Sequence, residues 1–307
     1  MIAALFPGQG SQAVGMGAGF KAGAGKRALE TAFATLPGLD RLMFSGPAEE
    51  LQLTENAQPA LVAASVAAYR AWQEETGLSA GLAAGHSLGE FSALVAAGAL
   101  ELDDALRLVR ARGRYMQAAV PVGAGAMAAV LKLDEAGVRE ALAAIDGTVE
   151  VANLNAPGQI VISGAASAVR EAGDHLRARG ARVIPLSVSA PFHCSLMTPA
   201  RNRLERDLTF TTFHAPSIPV VANVTAQEYA TVEDMPRLLG EQVTGSVRWV
   251  ESVERLAALG ATEMIEFGPG SVLSGLVKRI APQVPTFNIA TPEDIVAYQE
   301  SHPGGAA

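Results

Sequence analysis

The chain has one cysteine, Cys194, among 307 residues. An intrachain disulfide is therefore excluded, as is any metal site built from several cysteines, and a reducing cytoplasm suits the chain. Aromatic residues make up only 5% and charged residues only 18%, so the 49% hydrophobic content must build an aliphatic core. Positive charge is the scarcer sign: 23 Lys and Arg stand against 31 Asp and Glu, for a net charge of −8. That balance argues against nucleic acid or an anionic membrane as the main partner, and an acidic partner would need a local basic patch. No apolar run is long enough to span a bilayer. The uncharged stretch 183–200 is interrupted by Pro185, Pro191 and His193. The opening "MIAALFPGQG" lacks the basic segment and long apolar run of a secretory signal. Repeats and low-complexity linkers are absent too, and the tail "SHPGGAA" is expected to fray.

What is present is an alternation of short apolar strands and helices. "IAALF" (2–6) reads as a buried strand ending in the turn "PGQGSQ". Residues 58–76 read as a helix, 80–85 as a short buried strand, and 87–97 and 102–119 as two further helices. Late in the chain, "PVVANV" (219–224) and "EMIEF" (263–267) read as strands, the second running into a glycine turn and a helix. This order implies a mostly parallel α/β sheet covered on both faces. The middle differs: strand 125–133, helix 134–145, strands "VEVANL" and "QIVISG" about the turn 155–158, helix 165–180 and strand 181–189. That β-α-β-β-α-β order is a ferredoxin-like unit. The expected organisation is a large α/β domain over 1–123 and 191–307 with a ferredoxin-like subdomain at 124–190 inserted into it. Clefts between domains are favoured ligand sites.

The stretch "GLAAGHSLGEFSAL" places Ser87 in G-x-S-x-G, between an apolar run and a helical one. Such a serine is either a nucleophile on a sharp strand-to-helix turn or a helix cap, and the pattern fits both. A nucleophile needs a base. His302 lies in the tail and His175 on a charged helix face, both read as solvated; His86 adjoins the serine and points away from it; His214 has no distinguishing context. His193, in "SAPFHCSLM", sits where the chain returns from the inserted unit, as either a base or a buried structural histidine. On the helix "LDDALRLVRARGRYMQ", at about 100° per residue, Arg107, Arg110 and Arg114 share one face. Arg112 falls in the opposite stripe with Ala105, Val109 and Met116. A guanidinium there needs a carboxylate, supplied by the protein or by a substrate. "GQGSQA" also matches a dinucleotide-binding turn, with Glu30 at the spacing of a ribose-binding acid. However, 26–36 reads as helix and leaves no strand to end in that acid. The turn's backbone N–H groups and the Gln9 amide could instead stabilise an oxyanion.

Taken together, "LFPGQGSQ", "TENAQPAL", "GHSLGEFSALVAAGAL", "RGRYMQ", "NAPGQIVISG", "APFHCSLM" and "EFGPGSVLSGLVKRI" resemble the malonyl-CoA–acyl carrier protein transacylases of fatty-acid and polyketide synthesis over nearly the whole chain. The resemblance implies a hydrolase-like α/β domain with an inserted ferredoxin-like subdomain. It implies Ser87 as acyl-accepting nucleophile, His193 as its base, and Gln9 with the Leu88 N–H as oxyanion hole. Arg112 is similar to the arginine that pairs with the malonyl carboxylate, and Gln242 to the residue whose carbonyl orients the histidine. Asn155 and Asn223 match positions lining the pocket, and Phe192 a bulky residue of malonyl-specific members. It further implies ping-pong transfer from malonyl-CoA to acyl carrier protein, with the CoA thioester as substrate, no cofactor, no metal, and no nucleic-acid or membrane partner. The carrier is acidic in this family, and Arg201, Arg203, Lys278 and Arg279 are candidates for a patch that meets it. A thioesterase shares G-x-S-x-G, but it usually carries an acid to orient the histidine, and none is assignable here. A non-enzymatic carrier-binding scaffold is the other alternative, which the set Ser87, His193, Gln9 and Arg112 opposes.

Overall fold

A computed structural model describes residues 1–188 and 190–302. The expected fraying of 303–307, and the last residue of the strand expected over 181–189, lie outside the described residues. The chain opens with strand β1 (Ile2–Phe6), then helices α1 (Gly23–Thr35), α2 (Leu39–Ser45), α3 (Ala48–Gln52) and α4 (Thr54–Thr76). Strand β2 (Leu82–Gly85) leads into α5 (Gly89–Ala96) and α6 (Leu102–Ala118). Next come β3 (Gly125–Leu131), α7 (Glu135–Leu142), β4 (Val149–Ala156), β5 (Gln159–Ala165), α8 (Ala166–Ala178) and β6 (Arg182–Pro185). After a 3-10 turn at Ser195–Met197 follow α9 (Thr198–Thr209), β7 (Val220–Val221), α10 (Asp234–Gln242), α11 (Trp249–Ala258), β8 (Glu263–Phe267), α12 (Val272–Ile280), β9 (Thr286–Ile289) and α13 (Pro292–Ser301).

Among the described residues, five strands form a parallel sheet in the order β7-β2-β1-β8-β9. Its strands are short apolar runs because both faces are covered. Ala4 and Phe6 of β1 face a core shared with α1, α4 and α5, whereas Ala3 and Leu5 face a second core with Trp249, Val253, Leu273 and Val277 of α11 and α12. The period of two along one strand thus feeds two separate cores.

A second, antiparallel sheet runs β4-β5-β3-β6. Helices α7 and α8 cover it with a core of their own, including Val138, Leu142, Val169 and Leu176. This is the strand order of a ferredoxin-like unit. Its edge strand β4 is sewn to the large sheet's side of the molecule, where the Leu154 N–H donates to the Val247 carbonyl and the Val247 N–H to that of Ala152.

Several expected boundaries move for local reasons. Helix α4 starts at Thr54 rather than 58, because buried Thr54 and Ala57 continue its packing one turn back, with Pro59 inside it. Helix α5 starts at Gly89, not 87, since Ser87 has a positive φ of 50° that no helix accepts. Strand β7 keeps only Val220–Val221 of the expected 219–224, because the Asn223 N–H leaves the ladder for a buried carboxylate, Glu90. Strand β6 is four residues long. His302 is not simply solvated: its ring stacks on Tyr298 at 4.1 Å and its Nε2 lies 3.2 Å from Glu263. Among the described residues no helix is long and apolar enough to cross a membrane.

Candidate active site

The site forms at the C-terminal ends of β1, β2 and β7, where Gln9, Ser87 and Asn223 follow their strands. That edge of an open parallel sheet, where successive connections diverge, is the usual place for a ligand crevice. Ser87 sits on a turn too tight for side chains on either side. A Cβ on Gly85 would lie 1.9 Å from the carbonyl group of Gly89, and one on Gly89 would lie 2.0 Å from the Phe6 carbonyl oxygen. The two glycines of G-x-S-x-G are therefore demanded by close approach, and the turn holds Ser87 just before the N-terminus of α5.

The loop returning from β6 brings His193 to this serine. Its Nε2 lies 2.8 Å from Ser87 Oγ, and its Nδ1 lies 2.8 Å from the Gln242 main-chain oxygen. Burial, reinforced by the positive charge of Arg112, pushes the imidazole down to about 3. The ring is therefore neutral at neutral pH, donating from Nδ1 to the carbonyl and turning the Nε2 lone pair to the hydroxyl. A main-chain carbonyl thus occupies the place where a hydrolase usually has an acid. His86 faces elsewhere: its Nε2 meets Asn155 Oδ1 at 2.8 Å, and its ring packs against Trp249.

Arg112 comes from α6 and is 1% exposed. Its Nη1 donates to Gln58 Oε1 at 2.9 Å; its Nη2 donates to Gln242 Oε1 at 2.9 Å and to Ser87 Oγ at 3.0 Å. The guanidinium lies 5.9 Å from the Phe91 ring centre. Burial lowers it to about 10, opposed by the charge of Glu90, so it stays cationic at neutral pH. The direct internal carboxylate left open by the sequence is not there: its three partners are all uncharged. A buried cation held by neutral acceptors is prepared to take up an anionic group.

The remaining residues frame the nucleophile. Leu88 is buried, and its N–H has no acceptor among the described residues. Gln9 is exposed on the turn after β1, its amide donating to Thr54 Oγ1 at 3.2 Å. Asn223, expected in the pocket lining, is fully buried instead. Its Oδ1 accepts from the Ser87 N–H at 2.6 Å and its Nδ2 donates to the Gly85 oxygen at 2.7 Å, clamping both sides of the turn. Asn155 is half-buried near the end of β4, and Phe192 is buried beside His193. Of the basic candidates, Arg201 is tied to Glu205 at 2.7 Å and Arg279 to the Pro157 carbonyl at 2.7 Å. Arg203 lies over Tyr115, and Lys278 is exposed. Glu30 lies on α1, paired with Lys26 at 3.4 Å, which leaves the first turn without a ribose-binding acid. Among the described residues no group of three or more His, Cys, Asp or Glu could hold a metal ion.

Two participants escaped the sequence reading. Gln58 is buried in a helix whose other neighbours are almost all buried as well, so nothing marks it. Glu90 lies inside the quoted "GHSLGE" and is fully buried; a lone carboxylate in the apolar helix "GEFSALVA" was the available signal.

Comparison with known proteins identifies the family. An acyl transferase domain family matches residues 4–292. A malonyl CoA-acyl carrier protein transacylase of Escherichia coli is 45% identical, covering 97% of this chain and 99% of its own. One from Bacillus subtilis is 46% identical, covering 96% and 95%. Among solved structures, an acyl-carrier-protein S-malonyltransferase of Burkholderia pseudomallei superposes with a TM-score of 0.94 at 44% identity, covering 97% of this chain and 99% of that one. A type II polyketide malonyl-transacylase, solved in complex with its acyl-carrier protein, reaches 0.94 at 42% identity, covering 98% and 99%. With its parallel sheet, its inserted antiparallel sheet and a serine–histidine–arginine cluster at the strand ends, the chain belongs to the acyl transferase family, among the malonyl CoA-acyl carrier protein transacylases.

Proposed function

We infer that the protein transfers malonyl from malonyl-CoA to the phosphopantetheine thiol of an acyl carrier protein through a malonyl-serine intermediate, for fatty-acid or polyketide chain elongation. One observation carries this reading: the Ser87 hydroxyl is shared between a neutral imidazole and a buried guanidinium. A base and a carboxylate receptor thus meet at one nucleophile. In the first half-reaction His193 Nε2 takes the hydroxyl proton as Ser87 Oγ attacks the thioester carbonyl. Charge developing on the carbonyl oxygen is met by the Leu88 N–H, at the start of α5, and by the Gln9 amide. Collapse expels CoA thiolate, which receives the proton from His193. Arg112 exchanges its bond to Ser87 Oγ for the free carboxylate of the malonyl group.

In the second half-reaction His193 takes the proton of the carrier thiol, and the thiolate attacks the ester carbon. Ser87 Oγ leaves and is reprotonated by the same ring. Both steps are substitutions at an acyl carbon, in which the proton taken is the proton returned. No electrons change hands, so the reaction calls for no cofactor, and the CoA thioester is a substrate. The single, buried Cys194 suits a reducing compartment and supports placing the reaction in the cytoplasm. Intact-protein mass spectrometry tests the reading: malonyl-CoA should add one malonyl group to the chain, and holo carrier protein should then collect it. Free malonate appearing in place of malonyl-carrier would identify a thioesterase instead.

A further inference from the structure

Glu90 lies three residues after Ser87, fully buried on the first turn of α5. Three donors from distant parts of the chain converge on its carboxylate. The Tyr229 hydroxyl donates to Oε1, while Gln242 Nε2 at 2.7 Å and the Asn223 N–H at 3.1 Å donate to Oε2. The reading above assigns none of these contacts a part in the reaction. We propose that Glu90 is a positioning residue for acyl selection, whose carboxylate fixes the side-chain amide of Gln242 and, through it, the guanidinium of Arg112.

Donor and acceptor accounting carries the argument. The NH2 end of Gln242 faces two acceptors, Glu90 Oε2 and the Ser87 main-chain oxygen at 2.9 Å. Its oxygen faces the Arg112 Nη2. With the amide reversed, oxygen would face oxygen twice and NH2 would face a guanidinium, which has no acceptor. Only one orientation satisfies the buried groups, and Glu90 supplies one of the two acceptors that choose it. The main-chain oxygen of the same residue receives the His193 Nδ1 proton. Gln242 is thus a joint between base and carboxylate receptor, and Glu90 anchors its side-chain arm. When the malonyl carboxylate replaces Ser87 Oγ as a partner of Arg112, Gln58 and Gln242 alone keep the guanidinium plane in place.

Reach, rather than charge, is what this role requires. Glu90→Gln keeps the reach: its carbonyl can accept from Gln242 and Asn223, and its NH2 can donate to the Tyr229 oxygen, which accepts as well as donates. Glu90→Asp keeps the charge but withdraws it by one methylene from Gln242. This inference rests on the functional reading, so wild-type loading is measured alongside. The experiment compares kcat/KM for covalent loading of Ser87 from malonyl-CoA and from acetyl-CoA in wild type, Glu90→Gln and Glu90→Asp, with thermal melts of each. Glu90→Gln should keep the malonyl-over-acetyl ratio within about threefold, whereas Glu90→Asp should lower it by about ten- to a hundredfold, the worth of one buried hydrogen bond left unmade. A wild-type ratio in both variants overturns the proposal. So does the reverse order, which would make charge the cause. Equal losses on both substrates that track a fall in melting temperature overturn it too, leaving a purely structural carboxylate. A wild-type chain that loads no malonyl at all would overturn the functional reading and this inference with it.

Discussion

Arg112 and Ser87 are joined directly: the guanidinium Nη2 donates to the serine Oγ at 3.0 Å, while the same oxygen meets His193 Nε2 at 2.8 Å. In the proposed reaction, this bond sets the distance between the attacking atom and the receptor for the far end of the acyl group. The proposed selection of the acyl group and activation of the nucleophile therefore rest on one piece of geometry.

Ser87→Ala should abolish the covalent malonyl adduct and leave the fold unchanged, since one small half-buried hydroxyl is lost. A malonyl adduct on the alanine variant, seen by intact-protein mass, would move the nucleophile elsewhere.

The imidazole of His193 is held neutral in the fold, down to about 3 from the ordinary 6.5, chiefly by burial. The unfolded chain takes up this proton as pH falls below about 6.5 while the native state does not, so stability is present above that pH and is lost on acidification toward the folded value. Between pH 7 and pH 5 the difference amounts to about 2 kcal/mol. Urea unfolding of wild type and His193→Asn at both pH values should show the wild type losing that much more than the variant. Parallel behaviour of the two proteins would mean that the ring titrates normally in the fold.

Phe192 is buried next to His193 in the chain. If it crowds the α-carbon of the acyl group, methylmalonyl should be disfavoured by about 1–3 kcal/mol, the usual worth of one methyl. Phe192→Ser should then narrow the malonyl-to-methylmalonyl ratio of kcat/KM without inverting it. A ratio that does not move removes Phe192 from acyl selection.

Gly85→Ala would set a methyl 1.9 Å from the Gly89 carbonyl group, a backbone contact that no side-chain rotation relieves. The elbow must open or the fold must yield, and a loss of at least about 2 kcal/mol is expected in chemical denaturation. A variant as stable as wild type, with full loading activity, would show that the turn is looser than its glycines indicate.

What could be read from residues alone follows contact range. Strands β1 and β8 are short apolar runs closed by glycine turns, and both appear where that pattern puts them. The β-α-β-β-α-β order was legible because each element carries its own period and the turn "NAPG" marks the hairpin. Ser87 stood out through its flanking glycines, and Arg112 through its place among Ala105, Val109 and Met116. Strand β7 was over-read because "PVVANV" looks extended throughout, while Asn223 turns aside to partners more than a hundred residues away. Gln242 came only by resemblance, since its carbonyl acts on a histidine 49 residues earlier. Glu90 passed unnoticed because its partners, Asn223, Tyr229 and Gln242, converge only in the folded chain.

The most direct test of the account is Arg112→Ala, with loading of Ser87 followed in parallel from malonyl-CoA and acetyl-CoA, and thermal denaturation as a control. Loss of one partner of a buried charge pair costs about 2–5 kcal/mol, or about thirty- to several-thousand-fold in kcat/KM. The account predicts that malonyl loading falls by that much, while acetyl loading, which has no carboxylate to strand, is kept or rises. Equal losses on the two substrates, with a lowered melting temperature, would contradict it and return Arg112 to a structural role.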